Sequence, residues 1–218
     1  GYEQTVYYFL KKWRKQTTAE AISSKGYGQA VNDTNDKMLK DIQKGIRKDF
    51  AAFLATGSGK ATGVGLQAAL AQVWGQLQVI WEDTSVEAVY LMNPLDVADY
   101  LGGAQIVTQT AFGMSYIENF LGIGTVILAS DVPKGKIYAT ASENIVLYFV
   151  NVTGSDLAQA FNLTSDTTGL IGIHTGPVYE NLTSETVAAS GVGLFAENLG
   201  GVVIGTITAA EASGTKGK

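Results

Sequence analysis

Cysteine is absent from this chain of 218 residues, and histidine occurs once, as His174. Without cysteine there are no disulfides and no thiolate ligands for a metal, and one histidine is too few for the usual zinc sites. Catalysis of the Ser-His-Asp type would have to use His174. Because His174 alternates with Ile171 and Ile173 in a β-like segment, we interpret it as a structural or surface residue. We predict no catalytic residue, no metal site and no cofactor.

Long apolar runs are also missing. No stretch reaches the roughly 18 apolar residues that a membrane helix needs, so no membrane span is predicted. Hydrophobic residues nevertheless make up 46% of the chain and charged residues 16%, which is typical of a folded protein with a buried core. The length fits one large domain or two small ones.

A Gly-Ser-Gly-Lys occurs within FLATGSGKATGVG at residues 53–65. A phosphate-binding loop needs a glycine five positions before its Gly-Lys pair and a hydroxyl residue directly after it. These positions hold Leu54 and Ala61. The stretch also follows a predicted helix instead of a strand, so we interpret it as a glycine-rich connector between two helices and expect no nucleotide binding.

Charge is divided unevenly along the chain. Residues 1–60 carry 11 Lys/Arg against 6 Asp/Glu, whereas residues 61–218 carry 4 against 14. A basic segment joined to an acidic remainder suits nucleic acid on one side, and it suits copies of the chain packing head to tail equally well. The third interpretation is that one helix has a lysine-rich face in solvent.

Two helices are predicted in the basic segment. A short one starts at Thr18 and stops at Gly26. A long one, capped by Asp33 or Thr34, runs for roughly twenty residues and is stopped by Gly57. Its apolar residues recur at steps of three and four and form one stripe, namely Met38, Leu39, Ile42, Ile46, Phe50, Phe53 and Leu54. We expect this stripe to pack against the C-terminal β-sheet.

The remainder alternates helices and strands before it turns to β-segments. VEAVYLMN predicts a strand, and PLDVADYLG a short helix that Pro94 opens. GLQAALAQVWGQLQVIWED predicts a second long helix with one apolar side, namely Leu66, Ala69, Leu70, Val73, Leu77 and Ile80. TVILASDVPKGKIYATASENIVLYFV predicts three strands joined by a turn and a short connection. From Asn151 onward no helical period is visible, and strands alone are expected.

The N-terminal segment YEQTVYYFLKKWRK predicts an extended strand that ends in a basic cluster. The polar sequence after it offers no obvious hairpin partner, and a strand that cannot bury its apolar face needs a neighbour. Stacking on nucleic acid is the alternative. The residues expected to contact another subunit are Tyr7, Phe9, Lys11, Lys12, Trp13, Arg14 and Lys15.

The order of these elements resembles the major capsid (head) proteins of tailed phages of Gram-positive bacteria, which have the HK97-type fold. The resemblance covers residues 7–207, and its most specific parts are MNPLDVADYLG and VPKGKIYATASENI. It implies an α+β fold with an extended β-arm, a peripheral domain (a long spine helix plus a long β-sheet) and an axial domain (a mixed sheet with flanking helices). The implied segments are 1–28 for the end of the arm, 29–61 for the first part of the peripheral domain, 62–150 for the axial domain, 151–210 for the return to the peripheral domain and 211–218 for a polar tail.

The resemblance also implies a function. The chain is expected to be a structural subunit, not an enzyme, that self-assembles as pentamers and hexamers into an icosahedral phage head around double-stranded DNA, bound without sequence specificity. Scaffolding, portal and decoration proteins are the other implied partners, and the virion is the implied location, after assembly in the cytoplasm of a host bacterium. Two alternatives stay open: an encapsulin-like compartment of the same fold, and an enzyme whose site is not visible in the sequence.

Overall fold

The computed structural model describes residues 10–82, 86–101, 108–111, 114–152, 154 and 156–209. The helices within these residues are α1 (Ala19–Lys25), α2 (Tyr27–Leu54), α3 (Gly65–Ile80), α4 (Pro94–Leu101) and α5 (Asp156–Phe161). The strands are β1 (Lys11–Thr17), β2 (Gly59–Val64), β3 (Ala88–Met92), β4 (Gln109–Ala111), β5 (Met114–Ile117), β6 (Thr125–Leu128), β7 (Lys136–Ala141), β8 (Ile145–Phe149), β9 (Thr164–Ser165), β10 (Ile171–Val178), β11 (Thr183–Ser190), β12 (Val192–Ala196) and β13 (Val203–Thr208). This mixture confirms the predicted α+β class.

The chain divides into two compact units, each built from two stretches of sequence. The first unit comprises Gly1–Ile46 and Leu147–Gly193, and the second comprises Arg47–Val146 and Leu194–Lys218. The first contains a four-stranded antiparallel sheet in the order β1-β11-β10-β9. The second contains a seven-stranded mixed sheet in the order β2-β13-β7-β3-β6-β5-β4, and β8 and β12 pair in a separate two-stranded sheet.

The short helix α1 has the predicted ends. Its N-terminus is capped by Thr18, whose hydroxyl oxygen accepts a hydrogen bond from the Ala21 amide. Its C-terminus is closed by Gly26, which adopts a φ of 83°. This conformation costs little for a residue without a side chain, and it lets the chain turn sharply between two helices.

The long helix α2 begins earlier than predicted. It starts at Tyr27 directly after the glycine, so the predicted start at Asp33 or Thr34 is wrong. The Thr34 hydroxyl donates a hydrogen bond to the Ala30 carbonyl, one turn back inside the helix. A threonine can bond in this way within a helix as well as cap one, and sequence alone does not distinguish the two roles.

The C-terminal end of α2 packs as predicted. Phe50 is 6% exposed and lies in an apolar cluster with Val202 and Ile204. The ring of Phe53 meets that of Phe195 edge to face, with ring centroids 6.1 Å apart. Because these partners come from the C-terminal strands and the turn before β13, the predicted contact of this part of the stripe is confirmed.

The Gly-Ser-Gly-Lys stretch leads into a strand. β2 runs parallel to β13 along its whole length, so the predicted connector is wrong for Gly59–Val64. Pairing with a distant strand satisfies the backbone groups of this stretch, and its glycines permit close packing. A Cβ atom on Gly59 would lie 2.9 Å from the Val202 carbonyl oxygen, and one on Gly63 would lie 2.2 Å from the Ala69 amide nitrogen. The expected lack of nucleotide binding stays a prediction.

The second unit is built on an apolar core. The predicted buried side of α3 is confirmed for four residues that have no solvent exposure, namely Ala69, Leu70, Val73 and Leu77. Ile80, expected on the same side, ends the helix and is 37% exposed. The buried side packs with residues of the central strands, among them Tyr90 and Ile137. Removal of this apolar surface from water is the main force that stabilises the unit.

The segment after Asn151 departs from the prediction in one respect. It contains helix α5, so the expectation of strands alone is wrong. The expected return segment 151–210 stays a prediction, and its last strand, β13, forms its ladders with β2 and β7 of the second unit. In the first unit, β11 pairs with β1 and β10, and β10 also pairs with β9.

Candidate inter-subunit surface

The basic N-terminal segment lies on an edge strand of the first unit. β1 pairs antiparallel with β11, from Lys11 opposite Ser190 to Thr17 opposite Ser184. The prediction that this segment lacks a partner in its own chain is therefore wrong for Lys11–Thr17. Its partner lies more than 160 residues further along the chain, where no local pattern could indicate it. Among the strands that the structure describes, β1 is at the edge of its sheet, so no described strand pairs with its other side.

The two faces of β1 have different surroundings. Successive side chains point to opposite faces of a strand, and burial alternates accordingly. On one face Lys15 Nζ lies 2.5 Å from Asp41 Oδ2 of α2, and the Thr17 hydroxyl donates to the Thr34 hydroxyl of the same helix at 2.8 Å. Trp13 is half-buried on this face, whereas Lys12 on the other face is exposed. The sheet therefore covers α2 with one face and presents the other outward.

Two of the predicted contact residues are already engaged inside the chain. Arg14 Nε lies 2.5 Å from Glu185 Oε2 on the neighbouring strand, and Gln16 donates to the same oxygen at 3.3 Å. Together with the pair between Lys15 and Asp41, this ion pair reduces the positive charge that β1 offers to another chain. Exposed pairs of this kind contribute little to stability. Tyr7 and Phe9, the remaining predicted aromatic contacts, lie outside the described residues.

An apolar pocket of about 420 Å³ opens on the first unit beside β1. Its lining residues are Leu10, Lys12, Trp13, Arg14, Leu157, Phe161, Leu163, Val187, Ala188 and Ala189. Phe161 at the end of α5 is 59% exposed. Sequence reasoning missed the α5 residues, although the four-residue spacing of Leu157 and Phe161 is a helical signal. Lys12 and Arg14 are the charged residues in an otherwise apolar lining.

A second apolar surface lies at the turn between β10 and β11. Tyr179 is 82% exposed and Leu182 is 70% exposed, and both line a groove of about 410 Å³ together with Ile22 and Tyr27. Leu182 adopts a φ of 51°, a left-handed conformation that branched and bulky residues seldom take. The groove is therefore a second place where apolar side chains of the first unit are exposed to solvent.

His174, which the sequence singled out, lies beside a backbone carbonyl. The His174 ring nitrogen Nδ1 lies 3.2 Å from the Asn162 carbonyl oxygen. No group of three or more potential metal ligands occurs in the part of the chain that the structure describes. None of the helices in that part has the length and hydropathy to cross a membrane. In the second unit, burial raises the pKa of the Tyr90 phenol, whose hydroxyl donates to the Ile123 carbonyl at 3.3 Å.

Comparison with known proteins gives a match in structure and none in sequence. No protein-family model and no curated protein matches the chain. Among solved structures, the encapsulin complex from Synechococcus elongatus matches with a TM-score of 0.58 and 13% identity over 93% of this chain and 75% of that one. The virus-like particle from Pyrococcus furiosus matches with a TM-score of 0.54 and 12% identity over 90% and 75%. Mycobacterium phage Che8 matches with a TM-score of 0.52 and 10% identity over 90% and 70%.

The protein has the HK97-like capsid fold. The predicted resemblance to major capsid proteins is confirmed at this level, because the matches are shell proteins of phages and of compartments and span nearly the whole chain. At these identities the likeness establishes the fold alone.

Proposed function

We propose that this chain is a structural subunit of a closed protein shell, and specifically of an icosahedral phage head built from pentamers and hexamers around double-stranded DNA. The HK97-like fold is the observation that carries the proposal, since the matching structures are capsids, virus-like particles and encapsulins. Scaffolding, portal and decoration proteins are the proposed further partners, and the virion is the proposed location. No catalytic role is proposed.

The surface of the first unit supports a role in assembly. An edge strand with open backbone groups favours pairing with another chain, and the pocket beside β1 leaves apolar side chains in water. We propose that a neighbouring copy covers both. In this arrangement Lys12 and Trp13 of β1, with Tyr7 and Phe9 before it, contact the neighbour, while Arg14 and Lys15 remain held mainly by their own chain.

An encapsulin-like compartment is the second candidate, because one of the matching structures is an encapsulin complex. The two candidates predict different contents. A phage head encloses nuclease-protected DNA once the packaging proteins are present, whereas a compartment encloses protein when it is produced with its own cargo.

The test is production of the chain in bacteria together with the products of its neighbouring genes, followed by sedimentation and electron microscopy. Closed particles of uniform size are expected, and nuclease treatment before extraction should leave protected double-stranded DNA. Particles that contain a co-purified protein and no DNA would favour the compartment. A chain that forms no particles under these conditions would contradict both candidates.

A further inference from the structure

A line of lysines runs along the exposed side of α2 in the first unit. Lys37, Lys40 and Lys44 are separated by three and four residues, so they share one helix face. All three are exposed, whereas Met38 and Ile42, on the other side of the helix, have no solvent exposure. At a rise of 1.5 Å per residue, the line is about 10 Å long.

The acidic residues of the same helix do not neutralise this line. Asp33 is bound by Lys25 of α1 at 2.9 Å and Asp41 by Lys15 of β1 at 2.5 Å. The hydrogen bond from Lys25 is the main cause that lowers the pKa of Asp33, and Lys37 adds a weaker Coulombic contribution. Both carboxylates are thus paired with lysines that lie outside the helix.

None of the three lysines of the line donates a hydrogen bond or forms an ion pair within the described residues. One exposed acid, Asp36, remains beside the line, four residues before Lys40. The net effect is a row of three ammonium groups with a single carboxylate at its flank.

The composition of the face distinguishes between possible partners. Within residues 33–48 the exposed side chains are all polar, namely Asp36, Lys37, Lys40, Asp41, Lys44 and Lys48. Protein interfaces carry an apolar or aromatic centre, which this face lacks. A phosphate backbone needs only regularly spaced cations, and it presents one charge per 3.4 Å of each strand. The face therefore fits a nucleic acid better than a protein.

We propose that Lys37, Lys40 and Lys44 form a phosphate-binding line that contacts the backbone of double-stranded nucleic acid without regard to sequence. The inference deepens the proposed function by naming the surface that would meet packaged DNA, and it rests on that function only for the source of the nucleic acid. The three side chains place cations against successive phosphates, and released counterions drive the binding.

The test measures binding of a fluorescein-labelled DNA duplex of about 30 base pairs by fluorescence anisotropy, between about 50 and about 200 mM salt. The variant K37Q/K40Q/K44Q removes the line while keeping good helix formers. The control K60Q/K134Q removes charge from two exposed lysines elsewhere in the chain, neither of which takes part in the proposed contact between subunits. Circular dichroism establishes that both variants are folded.

Each phosphate contact contributes about 0.9 to the slope of log affinity against log salt. We expect K37Q/K40Q/K44Q to lose about 3 from this slope, whereas the control keeps most of it. Through these contacts alone, a fourfold rise in salt concentration would lower the affinity of the wild-type protein for the duplex about 40-fold. D36N should strengthen binding, because it removes the one acid at the flank.

Three outcomes would overturn the proposal. The first is a wild-type protein that does not bind the duplex at the lowest salt, and the second is an equal salt slope for the line variant and its control. The third is that polyglutamate displaces the duplex and binds the line with the same affinity as the duplex. The last result would assign the face to an acidic protein. Sedimentation of the same samples distinguishes DNA binding from shell formation. Unassembled chains that bind DNA through the line would support the phosphate-binding proposal and contradict the proposed shell function.

Discussion

The two units of the molecule differ in how they bury their surfaces. In the second unit α3 and the central strands enclose apolar side chains such as Leu70 and Tyr90, which have no solvent exposure. In the first unit the buried residues of β1 and β11 are small and often polar, as with Thr17 and Thr186, while Phe161 and other large apolar residues lie at the surface. Both units expose some large apolar residues, but several of those in the first unit line the pocket beside β1 and the groove at the turn between β10 and β11, where they are available to a partner.

The largest contrast is expected between two phenylalanines, one from each unit. Phe50 is 6% exposed in the second unit, and Phe161 is 59% exposed in the first. Phe50→Ala should lower the free energy of unfolding by about 3–5 kcal/mol, because it leaves a cavity in the core. Phe161→Ala should change it by less than about 0.5 kcal/mol. Chemical denaturation of both variants measures the difference, and equal losses would contradict this contrast.

Disrupting a buried hydrogen-bond network of the second unit should give the next largest loss in the free energy of unfolding. The Thr140 hydroxyl donates to the Gly201 carbonyl at 2.9 Å and accepts from the Asn144 amide at 2.8 Å. Thr140→Val removes one of two partners from each of these groups. The Asn144 side-chain amide also donates to the Asn198 carbonyl at 2.9 Å. The Gly201 carbonyl also accepts from Trp81 at 3.3 Å. We expect a loss of about 1–3 kcal/mol, since one buried N–H of Asn144 is left without a partner.

The corresponding change in the first unit, Thr186→Val, removes a bond at 2.9 Å to the Thr175 hydroxyl. The half-buried Thr175 can turn its hydroxyl towards water, which Asn144, at 2% exposure, cannot do. Thr186→Val should therefore cost less than Thr140→Val in the same denaturation experiment. The reverse order would show that the buried face of the first unit's sheet is as tightly closed as the core of the second.

Replacing a glycine inside α2 with alanine should give a small gain in stability. A Cβ atom on Gly45 would meet nothing within 4 Å, whereas one on Gly57 would lie 2.6 Å from Val202 Cγ1. Gly45→Ala is expected to add about 0.5–1 kcal/mol, since alanine loses less backbone entropy in a helix. Gly57→Ala is the control and should destabilise the protein by about 1–3 kcal/mol through overpacking. Thermal unfolding of the two variants measures both signs.

The smallest effect concerns the exposed pair of Asp33 and Lys25 in the first unit. The pKa of Asp33 is lowered in the folded protein, chiefly by the hydrogen bond from Lys25. A lowered pKa stabilises the fold above the pKa of the unfolded chain, about 3.9, and this contribution is lost as the pH falls through the folded value. Asp33→Asn should therefore be slightly less stable than wild type at neutral pH and equal to it in acid. A difference that grows in acid would contradict this sign.

The sequence was most informative where structure is local. The stripe of α3, the strand before Pro94 and the cap at Thr18 all follow from spacing and capping within a few residues. The pairing of β1 with β11 does not, because the two strands are far apart in sequence and no periodic pattern records which strands meet. The predicted start of α2 was wrong because Thr34 fits a helix interior as well as an N-terminal cap.

The candidate surface was predicted only in part. The basic and aromatic residues around Trp13 indicated β1, which lines one side of the pocket, because an apolar strand with a charged end is visible in sequence. The pocket also needs Leu157 and Phe161 of α5, whose helical spacing spans barely more than one turn. A helix this short gives a weak periodic signal, and its position over the sheet follows from tertiary packing.

We propose that a neighbouring copy covers the open apolar surface of the first unit. Sedimentation velocity with electron microscopy tests it on the wild-type chain, on Phe161→Glu and on Phe161→Leu, which keeps the side chain apolar. We expect closed particles from wild type and Phe161→Leu, and small unassembled species with unchanged thermal unfolding from Phe161→Glu, because a carboxylate resists burial in an apolar contact. Particles from Phe161→Glu that equal the wild type in size and yield would contradict the claim.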